Sequence, residues 1–472
     1  MSVKTSEKIK DVVAAPREFY ALVLKVAVPI MLQNGITNFV NMLDNIMVGR
    51  IGTDAMSGVS IVNQLLFVYY LCIFGGLAGI GIFTAQFWGK GDMRGMRYTV
   101  RAKLMLGAVL AVLGCALLLV AGKPLIGAFL HEGGETGDIA ETMRQARMYL
   151  NVMLVGLFPM ALANVYSSTL REKGQTVVPM AAGVTAVLVN LAGNYILIYG
   201  KFGAPALGVR GAAAATVISR FVEALIVVIW THTHPKENPF VKGCYSSLRV
   251  PADLIKSFFK KGMPLLINEA LWSAGMTTLV QCYSVRGLTS VAALNISNTL
   301  ANLFNIVFLS MGSVTAIILG QRLGAGKTHD IKLYAYRLMF VSLVLSVATG
   351  AVLFAVSPYF PGIYNTSEEV KTLAHRLLMI SAVFTPVYSF SNSCYFTLRS
   401  GGKTLITFLF DSCFCWAISV PAAFLLSRFT GLSTENMFFA VQTLELIKNV
   451  SGLVLVHRGR WINDITKYTE KG

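Results

Sequence analysis

The chain has 472 residues, of which 55% are hydrophobic and only 13% charged, with a formal net charge of +17. Soluble globular chains average about 45–50% apolar and about 25% charged residues. A large soluble core would explain the apolar excess here but not the scarcity of charge, so the soluble classes are set aside.

Runs of about twenty apolar residues cross a bilayer core. The chain predicts twelve of them, near residues 20–49, 55–87, 102–122, 148–170, 177–199, 209–230, 263–285, 291–320, 338–357, 377–398, 404–427 and 436–456. Spans 1, 2 and 8 exceed the length required, which implies tilt or protrusion. Gly, Ala, Ser and Thr recur among the Leu, Val and Ile of the spans, and small residues let helix backbones approach closely in lipid. The segment before Phe19 is polar and has no cleavage-site pattern, so no signal peptide is expected.

In chain order, the polar residues inside the spans fall into stripes. Span 1 carries Gln33, Thr37, Asn41 and Asp44 on one helical face. An ionisable group in a span costs several kcal/mol, which makes Asp44 the leading functional residue. Span 2 carries Ser60, Asn63, Phe67 and Tyr70 on one face. Span 5 places Asn190 and Asn194 one turn apart, where the amides either coordinate a cation or tie helices together. Arg220 with Glu223 in span 6, and Glu445 with Lys448 in span 12, stand three apart and are expected to neutralise one another.

Glu269 in span 7 and Asp411 in span 11 lie at similar depth with no basic residue at helical spacing on their own helices. They are expected to share a proton or cation. Span 8 presents a ladder of Asn295, Asn298, Asn302 and Asn305, and span 10 adds Tyr388, Asn392 and Tyr395. Gln33, Thr37, Asn41, Asn63, Tyr70, Asn295, Asn298, Asn302, Tyr388 and Asn392 would therefore line a polar cleft. Its aromatic faces suit organic cations.

Lys and Arg concentrate in the N-terminus, the C-terminus and the even-numbered loops. They are sparse in the odd-numbered ones, among which the loop with Glu132, Glu135, Asp138 and Glu141 is acidic. The positive-inside rule then assigns both termini to the cytoplasm. It also explains the net charge without a nucleic-acid partner. The seven cysteines are scattered through the spans as small buried side chains.

The sequence repeats internally. Pro29, Gly52, Ile61, Asn63, Gln86, Gly89 and Gly91 match Pro264, Gly287, Ile296, Asn298, Gln321, Gly324 and Gly326 at a constant offset of 235. Leu170, Arg171, Gly174 and Thr176 match Leu398, Arg399, Gly402 and Thr404 at an offset of 228. Two six-span halves in the same orientation suit a transporter with its site between rocking halves. The fold class is thus an all-α integral membrane protein of twelve transmembrane helices in two six-helix lobes with a parallel pseudo-twofold repeat. The lobes are 1–231 and 263–472, with a basic cytoplasmic linker at 232–262. The paired segments Gln86–Gly91 and Gln321–Gly326 lack the spacing of a phosphate loop and are expected to be helix ends with tight turns.

These features resemble the multidrug and toxic compound extrusion (MATE) family along nearly the whole chain. The resemblance rests on Asn41-Met-Leu-Asp-Asn-Ile-Met-Val-Gly49 with Gly52, on Leu170–Thr176, on Asn190-Leu-Ala-Gly-Asn194 and on Leu207–Thr216. It implies two six-helix lobes and cation-coupled export. The coupling residues of the family match Asp44, Asn190, Asn194 and Thr216, and Glu269 looks like the span 7 acid of some branches. One branch places an acid in span 10, where this chain has Tyr388, Ser389, Phe390, Ser391 and Asn392, so Asp411 is the substitute candidate.

The expected function is a Na⁺- or H⁺-coupled antiporter in the plasma membrane. It would export small cationic or amphipathic compounds by alternating access, as a monomer, with no cofactor and no bound metal beyond Na⁺. A flippase of a lipid-linked saccharide is the alternative, although such transporters usually carry more spans and a more cationic cavity. An intramembrane enzyme is disfavoured because the six His lie mostly in loops and form no metal motif.

Overall fold

The computed structural model describes residues 11–130 and 138–467; Glu132 and Glu135 of the acidic loop lie outside the described residues. Twelve long helices follow one another, and among the described residues there is no strand. They are α1 (Arg17–Gly49), α2 (Thr53–Lys90), α3 (Met93–Gly127), α4 (Ile139–Glu172), α5 (Val177–Tyr199), α6 (Val209–Thr233), α7 (Ala252–Ser284), α8 (Leu288–Gly324), α9 (Ile331–Val356), α10 (Glu368–Ser400), α11 (Thr404–Phe429) and α12 (Thr434–Arg458). Eleven of them carry stretches long and apolar enough to cross a membrane. The exception is α7, where Asn268, Glu269, Ser273, Thr277, Thr278 and Gln281 interrupt the apolar run.

The helix boundaries follow from local chemistry. Asp92 and Asp138 cap α3 and α4, their carboxylates accepting from Gly95 N at 2.8 Å and Ala140 N at 2.8 Å. Gly200 ends α5 at φ 66°, a conformation that glycine adopts without a Cβ penalty. The paired glycine motifs end α2 and α8 as expected, with Gly91 at φ 75° and Gly326 at φ 71°. They also do something spacing alone did not show. A Cβ on Gly89 would collide with the Gln321 carbonyl, and one on Gly324 with the Gln86 carbonyl. The two helix ends therefore cross with backbone against backbone.

The chain divides into two compact units. One comprises Leu32–Thr84 and Asp92–Phe258; the other comprises the segment ending at Met31, Ala85–Gly91 and Phe259–Lys467. The first packs α3 against α4, α4 against α6 and α5 against α6 around Val62, Ile73, Leu118, Ile126, Leu157 and Leu170. In the second, α10 is central and packs against α8, α9 and α12, with a core that includes Leu294, Leu377, Met437 and Val441. Two π-helical turns, Leu409–Cys413 and Cys415–Ser419, widen α11.

The basic stretch after α6 is folded onto the first unit. Arg101 Nε donates to Cys244 O at 2.6 Å, and its two terminal nitrogens donate to Gly243 O at 2.8 Å and Arg249 O at 3.1 Å. Lys173 Nζ donates to Asn238 Oδ1 at 2.5 Å and Glu237 O at 3.0 Å. This loop contact is dry enough that burial pulls the Lys173 ammonium down to about 8. Lys103 lies fully buried in α3 and ion-pairs with Glu172 of α4.

Candidate functional site

Asp44 sits on α1 and faces α5. Its Oδ1 accepts from Asn194 Nδ2 at 2.7 Å. With the Asn190 amide turned so that its nitrogen faces the carboxylate, that nitrogen donates at 2.9 Å to Oδ1 and 2.7 Å to Oδ2. The Asn190 oxygen then accepts from Thr216 Oγ1 at 3.1 Å. Both amides are buried, Asn194 at 2% and Asn190 at 6% exposure. The i, i+4 spacing of the two asparagines on α5 is what aims both at one carboxylate. Among the described residues no cation within ion-pair distance neutralises Asp44. Charge-assisted hydrogen bonds from neutral groups hold it instead. The buried Oδ1 of Asn194 has no hydrogen-bond partner. A carboxylate, an unpaired amide oxygen and the Thr216 hydroxyl form the kind of hard oxygen set that suits a proton or a hard cation.

The rest of the α1 stripe is less uniform. Gln33 packs its amide against Gly183, whose added Cβ would stand 2.6 Å from Gln33 Nε2. Thr37 is half-buried. The side chain of Asn41 lies outside the described residues. Spacing did not reveal Tyr149 of α4, buried at 5%, whose hydroxyl donates to Asn63 Oδ1 at 3.3 Å. Tyr149 belongs to no stripe, so no signal in the sequence marked it.

Asp411 is not the unpaired acid that its own helix suggested. Lys448 of α12 reaches it, with Nζ 2.9 Å from Asp411 Oδ1 and 3.5 Å from Glu445 Oε2. Its second oxygen accepts from Asn268 Nδ2 at 3.1 Å. The expected self-neutralising pair of Glu445 and Lys448 is thus a three-group cluster. Glu269 has no hydrogen bond or ion pair among the described residues, whereas Asp411 is already paired with Lys448. Lys448 was legible as an ionisable residue in a span but had been assigned to its helical neighbour. Asn268 was hidden beside the more conspicuous Glu269.

On α2 the residues Ser60, Asn63, Phe67, Tyr70 and Phe74 are all exposed, and the Tyr70 and Phe74 rings stack at 6.4 Å. On α8, Asn295 and Asn302 are exposed, with Asn298 and Asn305 half-buried. Asn392 has a different job: its Nδ2 donates to Phe308 O at 2.9 Å and ties α10 to α8. Tyr388 is half-buried on the same helix.

The MatE family model matches residues 29–196 and 264–425. Among curated relatives, the probable multidrug resistance protein YoeA of Bacillus subtilis is 26% identical over 414 residues, covering 86% of each chain. The probable multidrug resistance protein NorM of Thermotoga maritima is 24% identical over 441 residues, covering 93% of this chain and 92% of its own. Among solved structures, an outward-facing multidrug resistance MATE family transporter superposes with a TM-score of 0.84 at 20% identity, covering 93% of this chain and 95% of the other. The Vibrio cholerae MATE transporter VcmN gives 0.84 at 15% identity, covering 94% and 98%. The fold is thereby that of twelve transmembrane helices in two lobes, and the chain, a multi-pass membrane protein, belongs to the MatE family.

Proposed function

We propose that the protein is a secondary antiporter that couples entry of Na⁺ or H⁺ to export of small cationic or amphipathic organic compounds by alternating access. The observation that carries this reading is the Asp44 carboxylate, held by the amides of Asn194 and Asn190 with no ion-pair partner among the described residues. A carboxylate so placed binds one monovalent charge at a time and releases it when its surroundings change. The relatives named for multidrug resistance point to the same class of cargo.

The exposed amides of α2 and α8, Asn63, Asn295 and Asn302, would be penalised against lipid tails. They are assigned to a water-filled cleft that receives the substrate. Both termini are assigned to the cytoplasm of a plasma-membrane transporter, because the basic loops follow α2, α4, α6, α8 and α10. The amide-rich and acidic character of these surfaces disfavours an anionic lipid-linked sugar as cargo.

The test is efflux of a cationic dye from energised vesicles, with Na⁺ and pH gradients imposed separately. Dye accumulation driven by either gradient supports the reading and names the ion. Accumulation that responds to neither gradient refutes it.

A further inference from the structure

The polar cluster of the second unit is built differently from the surroundings of Asp44. Lys448 is 8% exposed, and its ammonium stands between two carboxylates, Asp411 on the π-helical turn of α11 and Glu445 one turn back on α12. The Phe410 and Phe414 rings lie 5.4 and 5.9 Å from the ammonium and confine it. Each carboxylate is fixed from behind. Asn268 donates to Asp411 and is itself oriented by the Ser412 hydroxyl, which donates to Asn268 Oδ1 at 2.7 Å. The Ser391 hydroxyl lies 3.3 Å from Glu445 Oε2 and also reaches Asn449 Oδ1. Asn449 is in turn anchored by its Nδ2 on Val387 O at 2.9 Å.

The result is a cage in which the ammonium meets one oxygen of each carboxylate, while amide and hydroxyl groups brace those carboxylates from behind. Carboxylate oxygens are hard-cation ligands, and an ammonium already stands between them. Lysine supplies that charge as a compact point on a tether. Unlike an ion from solution, it cannot leave.

We propose that Lys448 is a tethered counter-cation. Its ammonium permanently fills the Asp411–Glu445 cage, the part that an exchangeable ion plays opposite Asp44, so that these two carboxylates exchange no ion. This inference rests on the ion-coupled reading given above. It makes Lys448 a positioning residue that sets coupling stoichiometry, not a residue that touches substrate. Shortening the side chain should vacate the cage and leave two carboxylates, which like charges and partial burial destabilise until a cation enters.

The decisive measurement uses the full-length protein in detergent or nanodiscs, on an Asp44→Asn background so that the first site is silent. Thermal unfolding is followed in NaCl, KCl and N-methylglucamine chloride at matched ionic strength. The Asp44→Asn protein should show no difference among the salts. Asp44→Asn with Lys448→Ala should gain a saturable stabilisation by Na⁺ or K⁺ over the organic cation, and adding Asp411→Asn should remove it. A folded Lys448→Ala protein indifferent to the cation would overturn the proposal, because a merely structural ion pair predicts destabilisation without ion specificity.

Should Lys448→Ala fail to fold, Lys448→Met with Asp411→Asn, made with Asp44 intact, removes both members of the close pair together. The apparent number of coupling ions, read from flux against ion concentration, should then equal that of the parent. A lower number would mean that Asp411 itself exchanges an ion, and the proposal fails. Failure of the antiport reading itself is recognised separately, as dye accumulation by the unmutated protein that responds to neither a Na⁺ nor a pH gradient.

Discussion

Replacing Asp44 by Asn preserves the size of the side chain and removes its ability to titrate. The structure sets what this costs. The carboxylate accepts hydrogen bonds at 2.7 Å from Asn194 and at 2.9 and 2.7 Å from Asn190. An amide at position 44 keeps one oxygen but turns the other acceptor into a donor that faces a donor. Hydrogen bonds to a charged group contribute about 1.5–3 kcal/mol each. That loss is offset by no longer desolvating a charge, and either neighbouring amide can turn over. The net effect on stability should be on the order of 1 kcal/mol, so folded protein is expected.

The effect on transport should be far larger. One monovalent ion entering down a total electrochemical gradient of ~180 mV releases about 4 kcal/mol, which sustains an opposing electrochemical gradient of substrate equivalent to roughly a thousandfold. Without the titrating group that driving force is disconnected. The assay is dye accumulation in proteoliposomes carrying a defined Na⁺ or pH gradient, with dye-for-dye exchange at equilibrium as the control. Asp44→Asn should bring accumulation down to the passive level while exchange continues. Wild-type accumulation in this variant refutes Asp44 as the coupling group and moves the expectation to Glu269. Loss of folded protein would mean the carboxylate is chiefly structural.

Three further outcomes are expected. Gln86, fully buried, donates to Ser400 O and Asn463 O and accepts from Ile465 N at 2.9 Å; Gln86→Ala should loosen the segment after α12 by about 1–3 kcal/mol, seen as faster tryptic cleavage after Arg460 with the helical core intact. Lys103→Met leaves Glu172 without its ion-pair partner and should destabilise by about 3 kcal/mol, whereas the double change with Glu172→Gln should recover much of the loss in thermal unfolding. Arg101→Lys cannot reach all three carbonyls that the guanidinium serves and should expose residues 242–249 to proteolysis without changing helix content by circular dichroism.

What the sequence made legible was set by period and position. Twelve spans could be read because lipid demands long apolar runs, and even the weakest, α7, was visible through Pro264 and its match with Pro29. The Asp44 site was legible because Asn190 and Asn194 recur at helical spacing on α5, and that spacing aims both at the one carboxylate of α1. Contacts between helices distant in the chain were not legible. Nothing on α11 announces that Lys448, on the next helix, will reach Asp411, since a lysine can pair along its own helix or across to another with equal local logic. Tyr149 and Asn268 are found only by packing. The tie that Asn392 makes from α10 to the Phe308 carbonyl of α8 was likewise not legible from its place on the helix.

The repeat explains why the two halves diverge where they do. At the offsets of 235 and 228, Gln33 corresponds to Asn268 and Gly183 to Asp411. The corresponding positions touch in each half: Gln33 lies against Gly183, and Asn268 donates to Asp411. The backbone placement is thus common to both, while the chemistry is not. One half fills the spot with an amide on a glycine, the other with an amide on an acid that Lys448 neutralises. The reverse holds for Asp44, whose counterpart at the same offset is Leu279, buried beside Cys282, Tyr283 and Ala293 in the apolar core of its unit. Positions that fix helix approach, such as Gly89 and Gly324, cannot take a side chain without colliding with the backbone of Gln321 and Gln86, which accounts for a glycine at both places in the repeat. Interior polar positions are free to change if each buried charge keeps a partner. A duplicated scaffold can therefore keep one exchangeable acid in the first half and give the second a fixed internal cation, with no change of fold.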